Sequence, residues 1–288
     1  MKLCLGTVQL GMRYGIHNQI KRQPTKEEAY KILWSAKEYG IKCLDTASAY
    51  GNAEELIGES GVLDDGDIRI ITKPDAQSRL GIRNEVEQSL KRLKQECIDG
   101  LLLHDVSCYY DEKNLAELLK IKEEGLVKCV GVSVYEPEDA LRIAGDGEMD
   151  YIQIPYNVFD QRLDQTDFFE RTEKNGVTVF ARSSFLQGLI LMEPNQIPKK
   201  LWEAKLYIEK FKAIIQEYGF SAAEAAVLFC YTNERIDYVV FGVDTIEQLS
   251  ENIEITKKAD LFRECKEALI GITDGIHEHI LNPGLWEV

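Results

Sequence analysis

The sequence predicts an α/β protein that folds as one closed (β/α)8 barrel, the TIM-barrel class. Eight short apolar runs alternate with amphipathic segments along the 288 residues, and no Pro-, Gly- or Ser-rich linker divides the chain. Strands that are apolar almost throughout, each followed by a helix, are typical of a parallel sheet covered by helices. Eight such units favour barrel closure, and a chain of this length can bury a large core.

We therefore predict a single barrel domain over residues 1–288, with a C-terminal helix and tail in residues 258–288. An open, doubly wound sheet is the alternative architecture. Its main sequence support would be a G-x-G-x-x-G loop after the first strand, and the sequence has no such motif there.

The first strand, Leu3–Gly6, leads into a glycine-rich loop that extends to residue 15. This loop does not match a P-loop, because no Lys-Ser or Lys-Thr pair follows Gly11. A helix then begins at Thr25, which precedes acidic residues in the manner of a helix N-cap, and ends at Gly40.

The remaining units repeat the alternation of an apolar run and an amphipathic segment. The other strands are predicted at residues 41–44, 68–72, 98–103, 127–133, 151–155, 177–182 and 238–242. The other helices are predicted at about residues 53–59, 82–93, 114–124, 136 onward, 163–174, 202–218, 221–230 and 246–255. The spacing of apolar positions is the main signal for each element.

The composition excludes several classes of function. A formal net charge of −15 argues against binding to nucleic acid or to an anionic membrane, because such surfaces are built from clustered Lys and Arg. The seven scattered cysteines have no C-x-x-C spacing and are predicted to be reduced and structural. No apolar run approaches membrane-spanning length, and no charged leader precedes the first strand. We therefore predict a cytoplasmic protein without a nucleic-acid or membrane partner.

Titratable side chains follow three neighbouring strands of the predicted barrel. Asp45 and Tyr50 follow the second strand, Lys73 the third and His104 the fourth. In a parallel barrel the carboxyl ends of the strands meet at one mouth, where active sites lie. A structural ion-pair cluster would also explain some of these residues. Their joint occurrence favours a catalytic site.

These residue types fit a proton-transfer site built around a tyrosine. A phenol has a pKa of about 10, which is too high for ready proton exchange near neutrality. A neighbouring ammonium favours the phenolate, so we expect Lys73 to lower the pKa of Tyr50, with Asp45 holding Lys73 charged and in place. His104 would orient a carbonyl oxygen or share the proton.

The same residues lie in motifs that resemble those of the aldo-keto reductase family. The motifs follow the family's order along nearly the whole chain: Asp-Thr-Ala-x-x-Tyr-Gly at 45–51, Thr72-Lys73-Pro74, Leu103-His104-Asp105, Gly131-Val132-Ser133, Gln153 with Tyr156-Asn157, Ser183 to Leu189, Glu247-Gln248-Leu249 and Glu251-Asn252. The resemblance implies a (β/α)8 barrel that uses NAD(P)H to interconvert a small-molecule carbonyl and its alcohol. It also implies Tyr50 as proton donor, Lys73 and Asp45 as its tuning pair, and His104 as the carbonyl-orienting residue.

The resemblance further implies a nicotinamide cofactor that lies extended across the barrel mouth. Ser133 and Gln153 match the positions that bond the nicotinamide carboxamide. Ser183, Leu186 and Gly188 fall in the loop that covers the pyrophosphate. The other implied cofactor residues are Gly6, Thr7, Arg182, Gly242, Gln248, Glu251 and Asn252.

Two departures from the family pattern concern this cofactor. The family commonly has an aromatic residue beneath the nicotinamide ring, and Arg182 occupies that position, where a guanidinium plane can also stack. NADPH-using relatives usually carry a basic residue at the place of Gln248, to pair with the 2′-phosphate. No Lys or Arg occurs between Val239 and Thr256, and a phosphate without a basic partner is poorly bound. NADPH is the family default, but NADH or dual use is expected here.

Two alternatives come from other classes of function. Lys73 could be the Schiff-base lysine of an aldolase that needs no cofactor. The chain could instead be a regulatory or binding subunit of the same fold with low turnover, as the changes at Arg182 and Gln248 would allow.

The C-terminal segment offers two features with simple interpretations. His277-Glu278-His279 lacks further clustered ligands, so we predict a solvated, irregular tail rather than a metal site. Trp286 is expected either to fold over the barrel mouth or to pack on the barrel wall.

Overall fold

The structure, a computed structural model, describes residues 2–16, 18, 20–75, 78 and 80–286. Within these residues, eight parallel strands pair in sequence order, and the last strand pairs with the first to close a barrel. The strands are β1 (Leu3–Gly6), β2 (Cys43–Asp45), β3 (Arg69–Thr72), β4 (Ile98–Leu103), β5 (Val127–Ser133), β6 (Tyr151–Pro155), β7 (Thr178–Arg182) and β8 (Tyr238–Gly242). The predicted (β/α)8 barrel is confirmed, and the open sheet is excluded.

Helices follow the strands and cover the outside of the barrel. In the described part of the chain the α-helices are α1 (Val8–Gly11), α2 (Lys26–Glu38), α3 (Ala53–Ser60), α4 (Ile82–Leu93), α5 (Ser107–Tyr110), α6 (Glu112–Glu123), α7 (Pro137–Asp146), α8 (Phe168–Asn175), α9 (Ala204–Glu217), α10 (Ala222–Tyr231), α11 (Ile246–Thr256), α12 (Arg263–Leu269) and α13 (Glu278–Leu281). Short 3-10 helices cover Arg162–Gln165, Leu186–Leu191, Lys199–Leu201, Ala259–Leu261 and Pro283–Leu285.

The start of α2 has the cap that the sequence predicts. The Glu28 N–H donates to Thr25 Oγ1 at 3.3 Å, and the Thr25 N–H donates to Glu28 Oε2 at 2.7 Å. This reciprocal pair satisfies two backbone donors that a helix start leaves free. The glycine-rich segment after β1, predicted as a loop, contains the short helix α1 instead.

The bounds of β2 and the start of α6 differ from the predicted bounds because of local hydrogen bonds. The Ile41 N–H donates to Ala36 O at 3.0 Å and so belongs to the end of α2, which moves β2 to Cys43–Asp45. Asp111 accepts the N–H of Asn114 at 2.9 Å and caps α6, which therefore begins before residue 114.

The helix predicted at residues 163–174 is wrong, because the chain forms a 3-10 turn and then α8. Thr166 separates the two. Its Oγ1 donates to Leu163 O at 2.8 Å and accepts the Phe168 N–H at 3.2 Å. A threonine hydroxyl that bonds to nearby backbone groups in this way interrupts a continuous helix.

The hydrophobic core has two parts. A small cluster fills the barrel interior and consists of Cys4, Cys43, Ile71, Leu102, Tyr151, Phe180 and Val240. A much larger cluster contains buried side chains from both the strands and the helices. All seven cysteines are free thiols, as the sequence predicts. Among the described residues, no helix combines the length and the apolar character needed to cross a membrane.

Candidate active site

The carboxyl ends of the strands open onto a cavity of about 440 Å³. Asp45 lines it from the end of β2, Tyr50 from the turn that follows, and His104 from the residue after β4. Ser133 and Gln153 reach the same cavity from β5 and β6. The structure thus brings to one mouth the side chains that the sequence placed at separate strand ends.

Lys73 lies directly behind this cavity, where its ammonium group pairs with Asp45. The Lys73 Nζ to Asp45 Oδ1 distance is 2.7 Å, and the two side chains are only 1% and 5% exposed. Nζ also donates to Thr46 O at 3.1 Å, and Gln153 Nε2 donates to the same Asp45 oxygen at 2.8 Å. A buried ion pair needs such additional hydrogen bonds to offset its desolvation. The group therefore ties β2, β6 and the end of β3 together at the mouth.

A second buried network holds the end of β3 in place. Glu54, on α3, accepts hydrogen bonds from Thr72 Oγ1 at 2.6 Å, Arg92 Nε at 2.6 Å and Ser89 Oγ at 3.2 Å. Thr72 directly precedes Lys73, and α3 directly follows the turn that carries Tyr50. Glu54 thus links the two segments. Sequence analysis missed it, because a glutamate in the first turn of a helix is commonplace.

Tyr50 and His104 face each other at the end of the cavity where Asp45 lies. Their ring centroids are 6.0 Å apart in an edge-to-face arrangement, and Lys73 Nζ lies 5.5 Å from the Tyr50 ring centroid. Burial raises the pKa of the Tyr50 phenol well above its ordinary value, Asp45 raises it further, and Arg182 lowers it. The expected lowering of this pKa is therefore wrong, because burial, and after it the negative charge of Asp45, disfavours the phenolate. Tyr50 stays protonated at neutral pH.

The His104 imidazole is expected to stay neutral from pH 5 to 8. Burial, followed by the positive charge of Lys73, lowers its pKa from 6.5 to about 4. The unfolded chain takes up this proton near 6.5 and the native site only near 4, so native stability falls as the pH is lowered through this window. A histidine NMR titration measures the value, and a His104→Gln variant assigns the signal among the four histidines. A midpoint at or above 6.5 would contradict the neutral assignment.

Most of the predicted cofactor residues line the cavity as it continues away from Tyr50. Those in its wall are Gly6, Thr7, Ser133, Gln153, Arg182, Ser183, Gly188, Gly242, Gln248, Glu251 and Asn252. Leu186 is the exception, because its side chain is fully buried in the hydrophobic core. Side chains that sequence analysis missed also line the wall, including Gln9, Tyr14, Asn18, Tyr135, Phe185 and Gln187. Gln9 lies in the short helix α1 and Gln187 in the 3-10 helix Leu186–Leu191. The others lie in loops, where sequence spacing does not predict side-chain direction.

Gln9 and Gly242 make a tight contact in the cavity wall. A Cβ atom at position 242 would lie 2.2 Å from Gln9 Oε1, so a larger residue there would require the Gln9 amide to move. Gln9 Oε1 is buried and accepts no hydrogen bond from any described residue. A buried acceptor of this kind costs free energy unless a donor reaches it. The wall therefore offers an acceptor to a bound ligand.

The loop after β7 has an unusual backbone where it borders the cavity. Ser183, Leu186 and Gln187 have positive φ angles of 66°, 45° and 51°, which L-residues adopt rarely. The Ile16 N–H donates to Gln187 O at 3.0 Å, so the loop after β1 holds the loop after β7. Backbone strain of this kind clusters at ligand-binding segments.

Arg182, at the end of β7, is held by several neighbours. Its Nε donates to Ser133 Oγ at 3.3 Å, one terminal nitrogen to Ser183 Oγ at 3.2 Å, and the other to Val134 O at 3.0 Å. The guanidinium carbon lies 4.0 Å from the centroid of the Tyr135 ring. Within the described residues no carboxylate pairs with it.

The region around the start of α11 makes the far wall of the cavity acidic. Asp244 and Glu251 line this wall together with Gln248. Gln248 Oε1 accepts the Asp244 N–H at 2.7 Å, and Asn18 Nδ2 donates to Asp244 Oδ1 at 2.9 Å. Among the lining residues that the structure describes, Arg182 is the only Lys or Arg.

The C-terminal segment packs against the protein instead of forming an irregular solvated tail. Glu278 and His279 belong to α13, so the predicted irregular conformation is wrong for them. Trp286 Nε1 donates to His279 O at 2.9 Å, and the Trp286 ring contacts the large hydrophobic cluster. Of the two positions expected for Trp286, these contacts favour packing on the barrel wall. No group of three metal-binding side chains occurs among the described residues.

Known proteins resemble this chain in sequence and in fold. The sequence matches the Aldo/keto reductase family over residues 2–269. It is 26% identical over 271 residues to the uncharacterized oxidoreductase YqkF of Bacillus subtilis, covering 85% of this chain and 87% of that protein. It is 25% identical over 311 residues to D-threo-aldose 1-dehydrogenase of Pseudomonas sp, covering 88% and 92%.

Solved structures share the fold. The aldo-keto reductase AKR11C1 from Bacillus halodurans, in its holo form, superposes with a TM-score of 0.76 at 21% identity, covering 98% of this chain and 95% of that one. At this identity the likeness concerns the fold alone. The family match, which extends over most of the sequence, shows that the chain belongs to the aldo-keto reductase family.

Proposed function

We propose that the protein is an NAD(P)H-dependent oxidoreductase that interconverts a small-molecule aldehyde or ketone and the corresponding alcohol. The observation that carries this proposal is that Tyr50 and His104 face one cavity directly in front of the buried Asp45–Lys73 pair. The cofactor, when bound, supplies the hydride that the carbonyl carbon accepts. The residues of the chain hold the reactants, exclude water and deliver one proton.

Tyr50 is the proposed proton donor to the carbonyl oxygen. Its raised pKa means that the phenol carries its proton at neutral pH. Negative charge develops on the carbonyl oxygen as the carbonyl carbon accepts the hydride, and the proton from Tyr50 neutralises it. The charge then lies on the Tyr50 phenol oxygen, and the Lys73 ammonium, 5.5 Å from the centroid of that ring, stabilises it. His104 is neutral, so it can donate one hydrogen bond to the same oxygen without repelling Lys73.

The cavity has features that fit a nicotinamide cofactor. Ser133 Oγ and Gln153 Oε1 lie 3.2 Å apart and together present hydroxyl and amide groups to a carboxamide. Gln9 Oε1, the acceptor without a partner among the described residues, offers a further contact. Gly6 and Gly242 line the same cavity at the ends of β1 and β8.

The substrate class is proposed to include aldoses and other small carbonyl compounds. The name of the Pseudomonas relative assigns it oxidation of a D-threo-aldose. A panel of aldoses, short aliphatic aldehydes and ketones, followed by absorbance of the reduced cofactor, tests the reaction in both directions. The absence of turnover with every member, together with no cofactor binding, would overturn the proposal.

We also propose that the protein uses NADH at least as well as NADPH. The wall around Gln248 carries Asp244 and Glu251, and it offers no lysine or arginine among its described residues. Anionic side chains repel a 2′-phosphate but can accept hydrogen bonds from a free ribose hydroxyl.

Replacing Gln248 with arginine is expected to raise the affinity for NADPH relative to NADH by about 10- to 100-fold, because a charge-assisted bond to phosphate becomes available. Fluorescence titration with both cofactors measures the ratio. Gln216→Arg, on the exposed face of α9, is the control for the added charge. An unchanged ratio in the Gln248→Arg variant would mean that the 2′-position lies elsewhere.

Neither alternative function gains support from the geometry. A Schiff-base aldolase needs a lysine that substrate can reach, whereas Lys73 Nζ is buried and bonded to Asp45 and Thr46. Borohydride trapping of a substrate imine would revive that alternative. A regulatory subunit of low turnover does not need Tyr50 and His104 to face one cavity with the buried pair behind them.

A further inference from the structure

Arg182 places an unmatched positive charge at the catalytic end of the cavity. Within the described residues, its hydrogen-bond partners are two hydroxyl groups and one backbone carbonyl, none of which is charged. A guanidinium stays protonated throughout the pH range of folded proteins. The contact with the Tyr135 ring adds attraction through the aromatic face but supplies no counter-ion.

The other charged groups nearby cancel one another. Lys73 and Asp45 are paired at 2.7 Å and so carry no net charge together. His104 is neutral near pH 7, because its pKa is about 4. Among the described residues that line this end of the cavity, Arg182 is therefore the one charged side chain without an ionic partner, in a protein whose formal net charge is −15.

Arg182 donates a hydrogen bond to Ser133, one of the residues proposed to hold the nicotinamide. Its Nε lies 3.3 Å from Ser133 Oγ, which in turn lies 3.2 Å from Gln153 Oε1. A nicotinamide whose carboxamide binds Ser133 and Gln153 therefore lies beside the guanidinium. The reduced ring is neutral and the oxidised ring carries a positive charge, so the guanidinium repels only the oxidised form.

We propose that Arg182 makes this site bind the reduced nicotinamide cofactor in preference to the oxidised one. This inference rests on the proposed function and deepens it. Three hydrogen bonds and the Tyr135 contact prevent the guanidinium from swinging away, so the repulsion is not relieved by movement. For like charges about 5 Å apart in a partly dry site, the expected discrimination due to Arg182 is about 10- to 100-fold in affinity.

The test compares dissociation constants for the reduced and oxidised cofactor, using NADH with NAD⁺ or NADPH with NADP⁺, whichever pair binds. Arg182→Met keeps much of the length of the side chain but removes the charge, and Arg182→Lys keeps the charge. The ratio of oxidised to reduced dissociation constants is expected to fall about 10- to 100-fold in Arg182→Met. In Arg182→Lys, which keeps the charge but not the fork of hydrogen bonds that fixes its position, the ratio is expected to fall less than in Arg182→Met.

Arg142→Met, at an exposed position of α7, controls for loss of a distant positive charge and is expected to leave the ratio unchanged. An Arg182→Gln variant provides a second neutral side chain if Arg182→Met does not fold. An equal loss of affinity for the reduced and the oxidised cofactor in the neutral variants would overturn the inference and leave the proposed function intact. If the unmodified protein binds neither form, the proposed function fails and the inference fails with it.

Discussion

Replacing Tyr50 with phenylalanine is expected to lower kcat for carbonyl reduction by about 10²- to 10⁴-fold, because the ring stays and only the transferable proton is lost. The dissociation constant of the reduced cofactor is expected to change by less than about threefold, since only the transition state uses that proton. Single-turnover kinetics and fluorescence titration measure the two quantities on the same preparation. Tyr39→Phe, at a position that is 41% exposed on the outside of the barrel, is the matched control.

The pattern of the two measurements separates a catalytic role from a structural one. Tyr50 contacts His104 edge-to-face, so a structural role would appear as lost cofactor binding and lower thermal stability in Tyr50→Phe. A variant that keeps at least half of its activity would remove Tyr50 as the proton donor. A variant that loses cofactor affinity on the same scale as turnover would assign it to binding.

Replacing Lys73 with methionine is expected to destabilise the fold by about 3–5 kcal/mol, because Asp45 is left buried without its counter-ion. Gln153 would remain as its side-chain partner and supplies a hydrogen bond but no charge. Urea unfolding with and without the substitution measures the loss. Activity is expected to fall as well, since the ammonium near the Tyr50 ring is removed.

The double variant Lys73→Met with Asp45→Asn tests whether the missing charge causes this loss. Removing the carboxylate charge together with the ammonium is expected to restore part of the stability, and a double-mutant cycle gives the coupling between the two residues. Lys128→Met is the control, because that lysine pairs with Asp99 but is 64% exposed. Exposed ion pairs contribute at most about 1 kcal/mol to the free energy of unfolding. If the changes in unfolding free energy caused by the two substitutions are additive, the proposed dependence of one buried charge on the other is contradicted.

The sequence predicts the barrel well because its strands are buried on both faces. The run at 98–103 becomes β4 with the predicted bounds, since a short run that is apolar apart from Asp99 and stands between two helices is typical of a buried strand in a parallel sheet. The helix at 163–174 is mispredicted because apolar spacing there is compatible with a helix, while the Thr166 hydroxyl bonds to the backbone on both sides. Such local competition is visible only once the chain conformation is known.

For the candidate site, the sequence predicts which residues meet but not how they interact. The rule that strand ends converge is enough to bring Asp45, Lys73 and His104 to one mouth. The direction of the Tyr50 pKa shift depends on burial and on the nearby charge of Asp45, and the extent of burial does not follow from spacing. The positions of Gln9 and Tyr135 in the cavity wall do not follow from the sequence, because neither a helix of 4 residues nor a loop has a periodic pattern that fixes side-chain direction.

The pairing of β1 with β8 joins the two ends of the barrel sequence and so affects how the chain folds. Lys2 Nζ donates to Ile236 O at 3.0 Å across 234 positions of sequence, and β1 pairs with β8 beside it. Contacts of such long range carry a large loop-closure entropy and slow the search for the native topology. One edge of β1 has no native partner until the last barrel strand has been synthesised. During translation that edge must be kept from pairing with other chains.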